Sequence, residues 1–250
     1  MKDFLSTVKD NRPIAENIYM ITLTLPERTE KIYGGQFVNL ATGDSSLLLR
    51  RPLGVCKLEG DDLSLCYQVK GNGTKKLTEA KAGDKLKVLL PLGNYFNLSA
   101  YKSVAIVGGG VGIFPLIATL RDNKDKDFYA YIGFRNEGAV CLLDEFKICK
   151  KLTVTTDDGS YGEKSNAVQA FLRDSPKVDA IISCGPPVML KALKRELTDK
   201  GIKTPCFVSL EERMGCGIGA CLVCVCKTAE GGNARVCKDG PVFEINKIEL

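Results

Sequence analysis

The stretch VAIVGGGVG, residues 104–112, runs four apolar residues into a glycine-rich turn. A short buried strand that ends in glycines and opens a helix is the first half of a βαβ unit. The alternation continues downstream, with strands over 128–134, 152–156, 180–183 and 206–209 and helices to about 120 and over 142–149, 167–173 and 188–200. Together with 104–107 this gives five strands, and strands alternating with helices of this length predict a parallel sheet with right-handed crossovers. Upstream of Tyr101 the period changes. Short runs rich in β-branched and apolar residues occupy 18–25, 36–40, 53–58, 63–70 and 85–90, with Glu59-Gly60-Asp61-Asp62 as a hairpin turn. Several short strands at this spacing predict a small antiparallel barrel or sandwich. The chain therefore divides into a β-barrel over 1–99, an α/β domain over 100–209, and a glycine- and cysteine-rich module over 210–250.

The totals narrow the function. Net charge is only +5, and no basic stripe interleaved with aromatics is present, which argues against a nucleic-acid partner. No run approaches 18 consecutive apolar residues, and MKDFLSTVKDNRP lacks a signal-peptide core, so the cytoplasm is the default expectation. Histidine and tryptophan are both absent. Mechanisms that need a histidine base or ligand are thereby excluded, and the chemistry falls to cofactors, thiolates or carboxylates.

Eleven cysteines in a reducing compartment read as ligands or catalytic thiols rather than disulfides. Five of them lie between 216 and 237. In MGCGIGACLVCVCKT, residues 214–228, Cys216, Cys221 and Cys224 have the spacing C-x4-C-x2-C, the plant-type ferredoxin spacing for a [2Fe–2S] cluster with a fourth cysteine farther on. Gly215, Gly217 and Gly219 permit the positive φ angles that such a loop needs, and their N–H groups can face anionic sulfur. Two residues compete for the fourth position. Cys226 shares a face with Cys224 if the chain is extended. Cys237 returns after Gly231-Gly232, and a hairpin there closes the cage from the opposite side, which favours it. Zinc, the alternative, usually shows two C-x2-4-C knuckles. Cys56, Cys66, Cys141, Cys149 and Cys206 lie singly in apolar sequence and read as core.

Gly108, Gly109, Gly110 and Gly112 stand where a pyrophosphate rests on backbone N–H groups, although Pro115 occupies the third glycine position of G-x-G-x-x-G. A tight packing turn is the competing reading. Cys184 and Gly185, in SCGPPVML, follow a buried strand at the same carboxyl edge. Asp157 ends another strand there and can accept from a ribose hydroxyl or cap a turn. In the first region, Arg51 can pair with a diphosphate, Tyr67 can cover a planar ring, and Gly71-Asn72-Gly73-Thr74 opens a short helix. Surface arginine, core tyrosine and ordinary turn are the structural alternatives.

RRPLGV (50–55), YQVKGNGT (67–74), VAIVGGGVGIFPL (104–116), TDDGSYG (156–162), CGPPVML (184–190), LEERMGCGIGACLVCVCK (210–227) and VCKDGPVF (236–243) together resemble the ferredoxin-reductase superfamily. Within it the chain is similar to the electron-transfer subunits of type B dihydroorotate dehydrogenases. The resemblance spans essentially the whole chain and implies FAD, a [2Fe–2S] cluster and NAD. It implies that Arg51, Pro52, Leu53 and Gly54 hold FAD, with Cys66, Tyr67 and Gln68 along the flavin and Gly73 and Thr74 on its phosphates. It assigns the cluster to Cys216, Cys221, Cys224 and Cys237. Relatives often carry serine at the position of Gly54, so a hydroxyl contact is missing here. The implied partner is an FMN-containing catalytic subunit that oxidises dihydroorotate in pyrimidine biosynthesis, assembled as a heterotetramer of two copies of each. A flavin and iron–sulfur subunit of a sulfide dehydrogenase or of a ferredoxin–NAD(P) oxidoreductase complex is the second expectation. A redox sensor with a structural cluster and no flavin is the third.

Overall fold

The computed structural model describes residues 1–27, 29 and 31–250. Six strands close into an antiparallel barrel: β1 (Lys2–Ala15), β2 (Ile18–Thr24), β3 (Phe37–Leu40), β4 (Arg51–Glu59), β5 (Asp62–Gln68) and, after helix α1 (Asn72–Leu77), β6 (Lys85–Leu92). Their order is β1-β2-β5-β4-β3-β6. Alternation fills the interior, with Ile21, Leu23, Val38, Leu40, Leu63, Leu65, Val88 and Leu90 all buried. Gly60, at φ 62, turns β4 into β5 between the paired Glu59 and Asp62. The sequence reading assigns no strand before Ile18, yet β1 has 14 residues. Its inward positions Phe4, Ser6 and Val8 alternate correctly, but a serine in the middle hides the apolar period.

The α/β domain follows with β7 (Ser103–Gly109), α2 (Ile113–Asp122), β8 (Asp127–Phe134), β9 (Lys151–Thr156), β10 (Glu163–Lys164), α3 (Ala167–Asp174), β11 (Ala180–Cys184), α4 (Pro187–Asp199) and β12 (Cys206–Ser209). The five expected strands form, in the order β9-β8-β7-β11-β12, with parallel neighbours throughout. Two short strands extend this set at its edges: β10 joins β9, and a late strand joins β12 from the other side. The helix expected over 142–149 is a single 3-10 turn, Leu143–Phe146. Leu142 enters it at φ 53, and the chain must be back at β8 by Lys150, whose N–H donates to Phe128 O, so no room remains for a full helix.

After β12 the chain forms a two-stranded ribbon, β13 (Val225–Lys227) with β14 (Asn233–Arg235), and then β15 (Val242–Glu244). β15 pairs antiparallel with β12 through Val208↔Phe243, and Ile245 and Ile248 enter the core beneath α4. The stretch 210–250 thus contributes its cysteine loop to the outside of the molecule and its last residues to the α/β sheet. Among the described residues no helix is long and apolar enough to cross a membrane.

Barrel and sheet meet over a shared apolar core. Ile18, Met20, Cys56 and Cys66 from the barrel pack with Ile113, Phe114, Ile117 and Phe146. Cys56, Cys66 and Cys141 therefore lie in one core, not singly, because β4, β5 and the segment before the 3-10 turn converge there. Beside it, Lys57 and Glu59 of β4 reach Arg121 of α2 and Glu145 of the 3-10 turn. Glu145 accepts from Lys57 and, at 2.9 Å, from Arg121 Nε, and Arg121 also pairs with Glu59. Burial alone would raise the Glu145 pKa, but the two cationic donors outweigh it and hold the carboxyl below its ordinary range. Its contribution is therefore complete above the unfolded carboxyl's pKa of about 4.3 and is lost as pH falls through the lower native value. Glu145→Gln is expected to cost about 2 kcal/mol at pH 7. Urea titrations of both proteins check this, and the gap between them should close as pH is taken below about 4.

Candidate functional site

A cavity of about 510 Å3 opens where barrel, sheet and tail meet. The barrel supplies Pro52, Leu53 and Gly54 from the start of β4 and Cys66, Tyr67 and Gln68 from the end of β5. The sheet supplies Val111, Phe114 and Pro115 from the opening of α2, and Cys184 from the end of β11. The tail closes it with Ser209 to Met214 and Pro241. A cleft at the carboxyl ends of parallel strands, apolar with a few polar groups, suits a planar cofactor. A Cβ at Gly54 would meet Pro115 at 3.6 Å, an ordinary contact, so a serine fits sterically and its absence leaves that space to the cavity.

Tyr67 borders this space, but its ring faces into the barrel. It lies in the barrel core, stacks on Tyr19 at 5.8 Å, and donates its phenol to Asn11 Oδ1 at 3.1 Å. Burial pushes its pKa up to about 12. The neighbours Cys66 and Gln68, on the opposite face of β5 by strand alternation, turn toward the sheet. Arg51 lies just outside the lining. Its guanidinium donates to Leu49 O and fills the space beside Gly73, where a Cβ would fall 1.8 Å from Arg51 Nε. Thr74 completes the turn into α1, its Oγ1 accepting from Lys70 N at 2.9 Å and Gly71 N at 3.2 Å. Arg51, Gly73 and Thr74 therefore form one polar corner at the barrel end of the cavity.

Lys70 and Glu211, which line the cavity together with Glu212 and Arg213, are not among the site residues expected from the sequence. Crowding by protein on most sides pushes the Glu211 carboxyl up, and Lys70 pulls against that shift. Each stands inside a stretch that carries the family resemblance, YQVKGNGT and LEERMGCGIGACLVCVCK, but the two come together only when the tail folds over the barrel. Cys184 is fully enclosed, and its thiol is pushed up by burial and then by the Glu211 charge.

The glycine loop and the Cys184-Gly185 turn grip each other. A Cβ at Gly112 would land 2.4 Å from Cys184 O, one at Gly185 2.5 Å from Met189 Cε, and one at Gly109 2.7 Å from Met189 Sδ. Gly108 is packed by Leu116, Ile132 and Ile113. Only Gly110, at φ 53, faces open space. Gly108, Gly109 and Gly112 are thus the packed positions of this loop and Gly110 its open one. Asp157 lies at the same sheet edge at the end of β9, beyond β8, with its N–H on Phe134 O. Arg135 and Glu137 follow β8 there, and Glu137 N donates to Ser160 Oγ at 2.7 Å.

The cysteine loop lies on the other side of the cavity's wall. Gly217 and Gly219 adopt φ 73 and 84, and Leu222 adopts φ 57, whereas Gly215 keeps an ordinary φ with Cys221 Sγ 3.2 Å from its Cβ position. Backbone N–H groups point at sulfur: Ile218 and Ala220 donate to Cys216 Sγ at 3.4 and 3.3 Å, and Cys216 N donates to Cys221 Sγ at 3.3 Å. Burial opposes ionisation of Cys216, but the N–H groups of Ile218, Cys221 and Ala220 and the Cys221 thiol outweigh it and bring its pKa down to about 6, toward the thiolate that binds iron. Cys237 arrives on the turn after β14, its N–H on Cys224 Sγ at 3.4 Å, while Val236 N donates to Cys224 O at 2.8 Å. Arg235, doubly bonded to Asp239, reaches Gly219 O and ties that turn to the loop. Cys226, within β13, packs both against the sheet core and against the cluster of Phe37, Cys224 and Cys237, and among the described residues no N–H donor to its sulfur pairs it with another cysteine as Cys224 is paired with Cys237. Among the described residues no three Cys, Asp or Glu side chains gather as a single-ion site. The four thiols stand as two pairs, Cys216 with Cys221 and Cys224 with Cys237. Thiol donors, N–H groups aimed at sulfur and left-handed glycines fit an anionic iron–sulfur cluster.

A family model described as the iron–sulfur cluster binding domain of dihydroorotate dehydrogenase B matches residues 211–249. The chain is 40% identical over 244 residues to the electron transfer subunit of dihydroorotate dehydrogenase B (NAD(+)) from Caldanaerobacter subterraneus subsp. tengcongensis, with 96% of each chain covered. The corresponding subunit of Streptococcus mutans is 37% identical, covering 98% of this chain and 97% of that one. Among solved structures, an NADH-dependent reduced ferredoxin-NADP oxidoreductase studied for flavin-based electron bifurcation superposes with a TM-score of 0.85 at 29% identity, over 98% of this chain and 90% of that one. Phthalate dioxygenase reductase, at 17% identity and a TM-score of 0.70 over 91% and 87%, shares the fold.

The two glycine environments give a direct comparison. Gly112→Ala is expected to lower the melting temperature by several degrees and to weaken nicotinamide-nucleotide binding at least tenfold, since two backbones must part. Gly110→Ala meets no protein atoms, so its cost in stability is only the left-handed penalty of about 1–2 kcal/mol. Thermal melts of the two variants compare their stability, and a nucleotide titration of Gly112→Ala checks the loss of binding.

Proposed function

The chain belongs to the electron-transfer subunits of dihydroorotate dehydrogenase B (NAD(+)), and on that premise we propose that its central cavity holds FAD, its cysteine loop a [2Fe–2S] cluster, and its glycine loop NAD+. It is an oxidoreductase subunit that passes electrons from a dihydroorotate-oxidising catalytic subunit to NAD+, in pyrimidine synthesis. When bound, the cluster supplies one-electron carriage and the flavin supplies two-electron collection and hydride exchange with nicotinamide.

The residues divide that work by position. Cys216 and Cys221 would hold one iron and Cys224 and Cys237 the other, as their pairing suggests. The polar corner of Arg51, Gly73 and Thr74 would take the FAD diphosphate, with Pro52, Leu53, Gly54, Cys66 and Gln68 along the ring and Tyr67 stiffening the strand behind them. Gly110 would face the NAD+ pyrophosphate, while Gly108, Gly109, Gly112 and Gly185 hold the loop in place. Cys184 lines the cavity and also abuts the glycine loop, so it marks the place where nicotinamide would reach the flavin. Asp157 would meet the ribose. The observation that carries this reading is Phe37, which lines the cavity and packs against Cys224 and Cys237.

Ile218, Leu222 and Val223 are exposed around Cys221. Apolar side chains in water beside an electron-transfer centre fit a docking face for the catalytic subunit. We take that subunit to carry FMN and the assembly to hold two copies of each chain. Eleven free cysteines suit the cytoplasm. The 0.85 superposition favours one second reading, a subunit of a ferredoxin–NAD(P) oxidoreductase complex.

Co-purification under anaerobic conditions tests the choice. Dihydroorotate-dependent NAD+ reduction by the purified complex supports the first reading. A complex lacking it, but reducing ferredoxin with NAD(P)H, supports the second. Cys221→Ser is expected to remove the cluster's visible and paramagnetic signals while flavin absorbance stays, and an intact cluster signal overturns the ligand set. Arg51→Ala is expected to lose FAD on extended dialysis, and full flavin occupancy would count against that contact.

A further inference from the structure

We propose that Asn39 is a positioning residue that seats the cysteine loop on the barrel and raises the reduction potential of the cluster held there. The inference rests on the cluster assignment made above.

β3 is buried at all four positions, and three of its residues are apolar. Asn39 is the exception, 1% exposed. Its Nδ2 donates to Cys216 O at 3.3 Å, and its Oδ1 is buried without a partner. Turning the amide over would set oxygen against oxygen, so the loop fixes which end faces it. A buried amide with half its capacity unused weakens a fold. An aliphatic side chain would fill the same space without that cost.

The loop comes to Asn39 at close quarters. A Cβ at Gly217 would land 2.1 Å from Asn39 Nδ2, and Gly217 is held at φ 73. The loop backbone therefore lies directly against the carboxamide, and only glycine allows it. Phe37, two residues earlier on the same face of β3, packs against Cys224 and Cys237. On the β4 side, Phe37 pairs with Gly54 and Asn39 with Pro52, both cavity-lining residues. One strand thus separates the cavity from the loop, and Asn39 supplies its polar contact. The positive end of the amide dipole faces the Cys216 peptide. Reduction adds negative charge to the cluster, so that orientation favours the reduced state.

The test uses the full chain, purified anaerobically with its cofactors. Asn39→Leu keeps the volume and removes the dipole. Asn39→Asp keeps the shape, removes the donor and adds charge. The readouts are flavin content and the cluster's midpoint potential, taken by redox titration followed by electron paramagnetic resonance. Flavin content should match wild type in both. The midpoint should move negative, further for Asn39→Asp than for Asn39→Leu. For Asn39→Leu the expected change is up to about tenfold in the one-electron partition between cluster and flavin, about 59 mV. A loop that was merely loosened would admit water, which favours the more charged reduced state and moves the midpoint positive. A positive shift or an unchanged midpoint in both variants overturns the proposal. Should the larger changes not fold, Asn39→Ser, whose hydroxyl falls short of Cys216 O, carries the same expectation and the same refutation. A wild-type chain with no [2Fe–2S] signal refutes the cluster assignment itself, and the contact with it.

Discussion

The backbone pairing of β15 with β12 is the tie on which the site depends. The cysteine loop leaves the sheet at Ser209 and returns to it at Val242, whose residues pair directly with each other. Everything between is therefore a closed excursion whose two ends meet at this pairing, with Asn39 holding Cys216 and Ile248 bridging to Thr228 along the way. Its near limb, Leu210 to Met214, forms one wall of the cavity, and its far limb carries Cys237 to Cys224. Asn94 of the barrel clasps the same crossing, bonding Val242 through both N–H and carbonyl. Barrel, sheet and loop thus share one junction.

The architecture was largely legible because each layer has its own period. Alternation marked the barrel strands, and apolar runs ending at turn residues marked the parallel ones. What escaped was short or polar. Ser6 interrupts β1, β10 has two residues, and β15 lies in a region whose cysteines dominate any reading. Local pattern has no access to a strand defined by its partner rather than its composition.

The site was legible in a more uneven way. Cysteine spacing is a local property, so the loop could be read directly, and its N–H donors to sulfur follow from the glycines. The cavity is not local. Lys70 and Glu211 are 141 positions apart by number, and nothing in either neighbourhood points to the other. Tyr67 borders the cavity, but its ring turns to the opposite face of the strand and joins the barrel core, the structural alternative that the sequence left open. Among the cysteines, Cys216 is surrounded by N–H donors that lower its pKa, whereas burial pushes the Cys184 and Cys206 thiols up and does the same to Cys237, so spacing and position rather than acidity mark the ligands.

The cavity is walled by three stretches distant in sequence, and no single region encloses it. A molecule bound there contacts all three and binds the unfolded chain hardly at all. Mass action then makes folding stability a function of cofactor supply, rising by about 2.7 kcal/mol when free ligand reaches a hundred times its dissociation constant. With FAD as the molecule in that cavity, as proposed above, a cell short of flavin would hold less of the folded chain.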